Sequence, residues 1–132
     1  MSQRIIAIDQ STSSTKALLF DDQCRLLART NVDHQQYYPQ TGWVEHDAEE
    51  IYRNMVEAIH QLVGDEAKTG QHTYSIAITN QRETAVVWNK TTGHPIANAV
   101  VWQDTRGIDC CNDLRQRGMT EMVMQRSGLL ID

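Results

Sequence analysis

Short apolar runs alternate with polar turns along the first quarter of the chain. Residues 4–9 (RIIAID), 16–20 (KALLF) and 25–32 (RLLARTNV) each offer about a strand's length of apolar positions. The separators are brief: a row of hydroxyl residues after Asp9, then Asp21-Asp22-Gln23. Runs this closely spaced favour antiparallel neighbours, so a meander is expected. The irregular stretch DHQQYYPQTGWVEHD follows, and Asp47-Ala48-Glu49-Glu50 supplies an acidic N-cap with a glutamate three residues on. Ile51, Met55, Ala58, Ile59 and Leu62 then recur at helical spacing, which predicts an amphipathic helix over residues 48–63 with Gly64 as its C-terminal cap.

Beyond it, residues 74–79 (YSIAIT) and 84–88 (TAVVW) read as strands around the polar insert Asn80-Gln81-Arg82-Glu83. The NKTTG segment turns the chain, and residues 99–102 (AVVW) form another apolar run. Asp104 or Thr105 can cap a helix reaching Arg117, with Ile108, Cys111 and Leu114 on one face and Gly118 at its end. A short helix is expected over residues 120–126. Strands first and helices later, with mixed connections, predict an α/β layer fold. No repeat, low-complexity tract or linker interrupts the sequence. It stops at SGLLID without an obvious terminal element, which suggests a fragment.

Composition narrows the function classes. The 132 residues are about one domain's worth, with 40 % hydrophobic and 22 % charged residues, as in an ordinary globular protein. A net charge of −5 and scattered basic residues argue against nucleic acid as a partner. An acidic chain can still bind an anion, but through a local site and with help from a metal. No apolar run approaches the roughly 18 residues of a membrane span, and the N-terminus lacks a secretory signal pattern, so no membrane partner is expected. Cys24, Cys110 and Cys111 are odd in number and show no C-x-x-C spacing, which fits a reduced, cytoplasmic compartment.

Three polar words could carry chemistry. In IDQSTSSTK, the backbone and the row of five hydroxyls offer phosphate donors. Asp9 at a strand end could hold a Mg²⁺ water shell, and Lys16 could neutralise a polyphosphate. The segment is not a P-loop, and a plain polar hairpin is the competing reading. In TNQRET, Arg82 and Glu83 can donate to and accept from vicinal hydroxyls, as a polyol requires; a surface turn with an incidental ion pair is the alternative. In VVWQDTR, Trp102 offers an apolar wall for the C–H face of a polyol, against a core tryptophan followed by a capping aspartate. The five histidines show no ligand spacing, and GWVEHD reads as a hydrophobic staple at the helix entry.

Taken together, IDQSTSSTKALLFD, YYPQTGWVEHD, ITNQRETAVVWNKTTGHPIANAVVWQDTR and SGLLID resemble the N-terminal part of the FGGY family of carbohydrate kinases, in its glycerol kinase branch. The resemblance runs through nearly all 132 residues in family order. It implies an actin-like, ribonuclease-H-like α/β domain, a mixed sheet with flanking helices, in which residues 1–132 form the first part of the family's N-terminal domain. It also implies ATP and Mg²⁺ as cofactors and a small-molecule polyol as partner, most simply glycerol converted to glycerol 3-phosphate. Erythritol, xylulose or ribulose as acceptor, or an actin-like ATPase without transfer, are the alternatives.

By the same resemblance, Thr12, Ser13, Ser14 and Lys16 line the nucleotide phosphates and Asp9 lies near Mg²⁺ and the phosphoryl group. Arg82 and Glu83 hold the polyol hydroxyls, and Trp102 covers its carbons. The catalytic base and the adenine pocket are expected outside this chain, which alone should be inactive, and the full-length protein is expected to be a dimer or tetramer. Ser11 stands where the family has glycine, which bears on how closely the backbone approaches a phosphate. Lys16 stands where it has arginine, keeping the charge without the planar fork.

Overall fold

The computed structural model describes residues 2–132, apart from the side chains at 65 and 66. In chain order it forms β1 (Ser2–Gln10), β2 (Ser14–Asp21), β3 (Leu26–Asp33), β4 (Glu45–His46), α1 (Ala48–Val63) and a 3₁₀ segment (Gly64–Thr69). Then come β5 (His72–Thr79), β6 (Ala99–Val100), α2 (Ile108–Gln116) and α3 (Thr120–Ser127). The first three strands make the expected meander, and β5 returns parallel to β1, giving the order β3-β2-β1-β5. β4 and β6 pair separately.

Period-two alternation sets the core. Ile6 opposes Leu19 and Ile8 opposes Ala17, and all four are buried on one face of the sheet. α1 lies across that face, burying Ala58 and Val63, with Met55, Ile59 and Leu62 packed beside them. Each large apolar side chain removed from water there contributes about 1.5–3 kcal/mol. The helix entry is half of a capping box. Asp47 accepts the N–H of Glu49 (2.8 Å), but Glu50 accepts from the N–H of Gln35 (2.9 Å), tying the helix to the segment after β3.

Three expectations change. Residues 84–88 do not form a strand: only Ala85 and Trp88 make bridges, to Val100 and Pro95. Val87 and Trp88 are both exposed, so neither face of the run has a layer to pack on. β-propensity without a covered face does not sustain a strand. The 99–102 run is paired only over Ala99–Val100, because the chain turns where the N–H of Asp104 returns to the carbonyl of Val101 (2.8 Å). Asp104 does not cap a helix, since its carboxylate is engaged elsewhere, and α2 starts at Ile108 with that side chain exposed. Among the described residues no helix is long and apolar enough to cross a membrane.

Candidate functional site

β1 and β5 run parallel and end together, with Asp9 beside Thr79. The loops leaving their carboxyl ends therefore adjoin, the usual place for a ligand in sheets of this kind. The first loop is the β1–β2 hairpin. Its ladder closes with Asp9 opposite Lys16 and Gln10 opposite Thr15. The Ser11 N–H and hydroxyl both donate to the Ser14 carbonyl (3.0 and 2.9 Å), and the Ser13 carbonyl accepts from the His34 N–H (3.1 Å). The Thr12 carbonyl accepts from His34 Nε2 (2.9 Å) and Gln36 Nε2 (3.2 Å). The Ser11 carbonyl accepts longer contacts from Gln10 and Gln81 (3.4 and 3.5 Å).

Every carbonyl from Ser11 to Ser14 thus accepts from a protein donor. Among the described residues, the N–H groups of Thr12 and Ser13 have no acceptor. A loop with its acceptors engaged and its donors free presents positive potential to a ligand, as anion-binding turns do. No glycine is needed for this. Among the described residues the left-handed non-glycine positions are Cys24 and Glu83, so Ser11 adopts ordinary backbone angles and its hydroxyl closes the turn.

Beneath the hairpin sit His34 and His46, buried edge to face with ring centroids 4.8 Å apart. Since a carbonyl only accepts, His34 carries its proton on Nε2. His46 accepts from the Gln81 amide at Nδ1 (3.5 Å), and among the described residues its Nε2 has no hydrogen-bond partner. Burial above all, and then the neighbouring His34, push the His46 pKa down to about 4, with Glu50 acting weakly in the opposite sense. The ring is neutral at physiological pH.

The second loop is the turn after β5. Glu83 is held at φ +59°, a left-handed conformation that costs a non-glycine residue roughly 1–2 kcal/mol. The Arg82 and Glu83 side chains are exposed and, among the described residues, form no ion pair with each other or with anything else. Gln81 turns inward, accepting from the Thr84 hydroxyl (3.0 Å) while its amide reaches Ser11.

The third element is Trp102, just past β6. Its backbone N–H donates to Thr84 Oγ1 (3.3 Å), and its indole N–H to Thr12 Oγ1 (3.0 Å), with the residue 53 % exposed. A staple fixes this corner. Arg106 forks onto Asp104 (2.8 and 2.7 Å), reaches Glu45 (2.7 Å), and lies 3.9 Å over the Trp43 ring. Asp104 also accepts from the backbone N–H groups of Arg106 (2.8 Å) and Val44 (2.7 Å), so the guanidinium and these N–H groups lower its pKa to about 2. Trp43 is therefore a seat for a cation, while Val44 beside it is buried.

Residues 9–12, residues 80–83 and Trp102 line one cleft of about 370 Å³. It brings together Asp9, Thr12, Arg82, Glu83 and Trp102 from the sequence-predicted set. Ser13 and Lys16 are exposed outside the lining, with Lys16 Nζ 3.6 Å from the Asp9 carboxylate. Ser14 is buried at the head of β2. Asn80 and Gln81 join the lining without individual roles having been read from the sequence, and His34 and His46 support it from below. Among the described residues no cluster of three His, Cys, Asp or Glu could hold a metal ion.

The sequence pattern of the FGGY family of carbohydrate kinases, N-terminal domain, matches residues 4–132. The chain belongs to this family. Glycerol kinase 1 of Thermotoga maritima is 44 % identical over 128 residues, and the glycerol kinase of Pseudarthrobacter chlorophenolicus 46 % over 129. These alignments cover 97 % and 98 % of the chain but 26 % of each relative, so the chain spans about a quarter of their length. The Plasmodium falciparum glycerol kinase solved with ADP superposes with a TM-score of 0.85 at 32 % identity, over 99 % of this chain and 26 % of that one. The xylulose kinase of Rhodospirillum rubrum shares the fold, with a TM-score of 0.87 at 21 % identity over 98 % and 26 % of the two chains. This FGGY domain segment thus has the actin-like α/β architecture of its family, and the lined cleft lies within it.

Proposed function

We propose that the natural polypeptide carrying these residues transfers the γ-phosphoryl group of ATP to a primary hydroxyl of a polyol, with glycerol converted to glycerol 3-phosphate. One observation carries the reading. The anion-facing hairpin and the unpaired Arg82 and Glu83 open into the same cleft, with Trp102 between them. The glycerol kinases among the relatives support the choice of acceptor.

The Thr12 and Ser13 N–H groups and the Thr12 hydroxyl receive phosphate oxygens, while Lys16, 3.6 Å from the Asp9 carboxylate, supplies a positive charge beside them. Arg82 donates to one acceptor hydroxyl and Glu83 accepts from its neighbour, aligning the attacking oxygen. The indole ring covers the carbon chain. Mg²⁺ gives up its water shell reluctantly, so Asp9, half-exposed in the cleft and 3.6 Å from Lys16 Nζ, would hold the ion through water. When bound, the ion offsets charge that builds on the phosphoryl oxygens. Residues outside the 132 take the acceptor's proton and hold the adenine, and the chain by itself is expected not to turn over.

The test is ADP release by the natural full-length polypeptide with glycerol, erythritol, xylulose and ribulose in parallel. Glycerol turnover that falls by about 10³-fold or more in Arg82→Ala supports the assignment, a loss of the size expected for a positioning charge. Turnover on another acceptor moves the substrate and keeps the reaction. Acceptor-independent hydrolysis, or none, overturns the transfer reading.

A further inference from the structure

We propose that Trp102, through its indole N–H, fixes the direction in which the Thr12 hydroxyl donates, so that it positions the phosphate half of the cleft as well as walling the acceptor half. The inference rests on the reading above, since it assigns Thr12 to the nucleotide.

A hydroxyl has one proton and accepts through its lone pairs, whereas an indole N–H only donates. Trp102 Nε1 lies 3.0 Å from Thr12 Oγ1, so the oxygen accepts there and must send its own proton elsewhere. The nearby loop carbonyls are already engaged: that of Thr12 by His34 and Gln36, that of Ser11 by Gln10 and Gln81. Among the described residues the Thr12 hydroxyl has no acceptor, and the residue lines the cleft. Its proton is left for an incoming anion. Accepting one hydrogen bond also polarises the hydroxyl and makes it a better donor.

The indole is itself held in place. The Trp102 backbone N–H donates to Thr84 Oγ1, the Thr84 proton goes to the Gln81 carbonyl oxygen, and the Gln81 amide donates toward Ser11. A ring of contacts thus runs from Ser11 through Gln81, Thr84 and Trp102 to Thr12. Each bond in it has a determined sense. An apolar wall alone would need no such orientation of the indole nitrogen.

The test is a double-mutant cycle in the natural full-length polypeptide with Trp102→Phe, Thr12→Val and both. Phenylalanine removes the donor and keeps an aromatic wall, though a smaller one. Trp102→Phe is expected to raise the KM for ATP and the Kd for ADP about fivefold to tenfold, the range for one lost hydrogen bond, with the KM for the acceptor changed less than about twofold. In the Thr12→Val background the same change is expected to add nothing, and Thr12→Ser to behave near wild type. An effect confined to acceptor KM, or losses that simply add, would overturn the inference. ADP binding separates this failure from that of the function: a non-additive ADP cycle upholds the inference even with no acceptor turned over, and an additive one sinks it.

Discussion

Two hairpins of the same meander handle negative charge in opposite ways. The β2–β3 turn carries its own anion: Asp21 accepts from the N–H groups of Gln23 and Arg25 (2.9 Å each) and from Arg25 Nε (2.7 Å), and these bonds hold its carboxyl below the usual range. The β1–β2 turn has no carboxylate within it. Its carbonyls already accept from protein donors, and among the described residues two of its N–H groups are left over. One turn is electrostatically complete as folded. The other is completed by something that arrives. A row of hydroxyls is therefore not the informative feature of a phosphate loop; what informs is where its carbonyls go.

The comparison can be broken most severely at His34. His34→Phe keeps the ring against His46 and removes the Nε2 proton that holds the Thr12 carbonyl. That carbonyl then keeps only the longer bond from Gln36 (3.2 Å) and can swing toward the cleft, so kcat/KM for ATP is expected to fall about 10²-fold, the scale of a small misplacement in an active site. Steady-state kinetics with circular dichroism checks this, and an unchanged kcat/KM in a folded variant would sink the account.

Acid separates the two turns next. His46 is held near pKa 4 in the fold against about 6.5 when unfolded, so between these values the unfolded chain binds a proton that the folded one does not. Stability is intact above pH 6.5 and declines as pH falls toward 4. The Asp21 turn, whose carboxyl is depressed, weakens only below the ordinary aspartate value of 3.8. Denaturant midpoints measured from pH 7 to 4 should fall in the parent protein, and this limb should flatten in His46→Gln. A slope identical in both would refute the buried neutral ring. The smallest effect is expected at Asp21→Ala: a thermal midpoint lower by a few degrees, with kcat/KM untouched. Altered kinetics there would mean that the two hairpins are not independent.

The meander and α1 were legible in the sequence because alternation and helical spacing are local and each element has a face to cover. The run TAVVW had the composition of a strand but no layer to lie on, which composition does not reveal. The polar words around Asp9, Thr12, Arg82, Glu83 and Trp102 were legible as interruptions of apolar runs. Their supports were not. Thr12 meets His34 across 22 positions and Trp102 across 90, and Gln81 meets Ser11 across 70. Nothing in the neighbourhood of His46, which looks like a residue preceding a helix cap, says that it will be buried under a loop 35 positions from Gln81, its contact there.

Glu83 carries a consequence for anyone redesigning this protein. A search for substitutions that relax the backbone would select this position early, because glycine or asparagine suits its conformation better than glutamate does. The relaxed turn would be sturdier and would have lost the carboxylate that faces the cleft. A stability screen scored on melting alone would count that variant as an improvement.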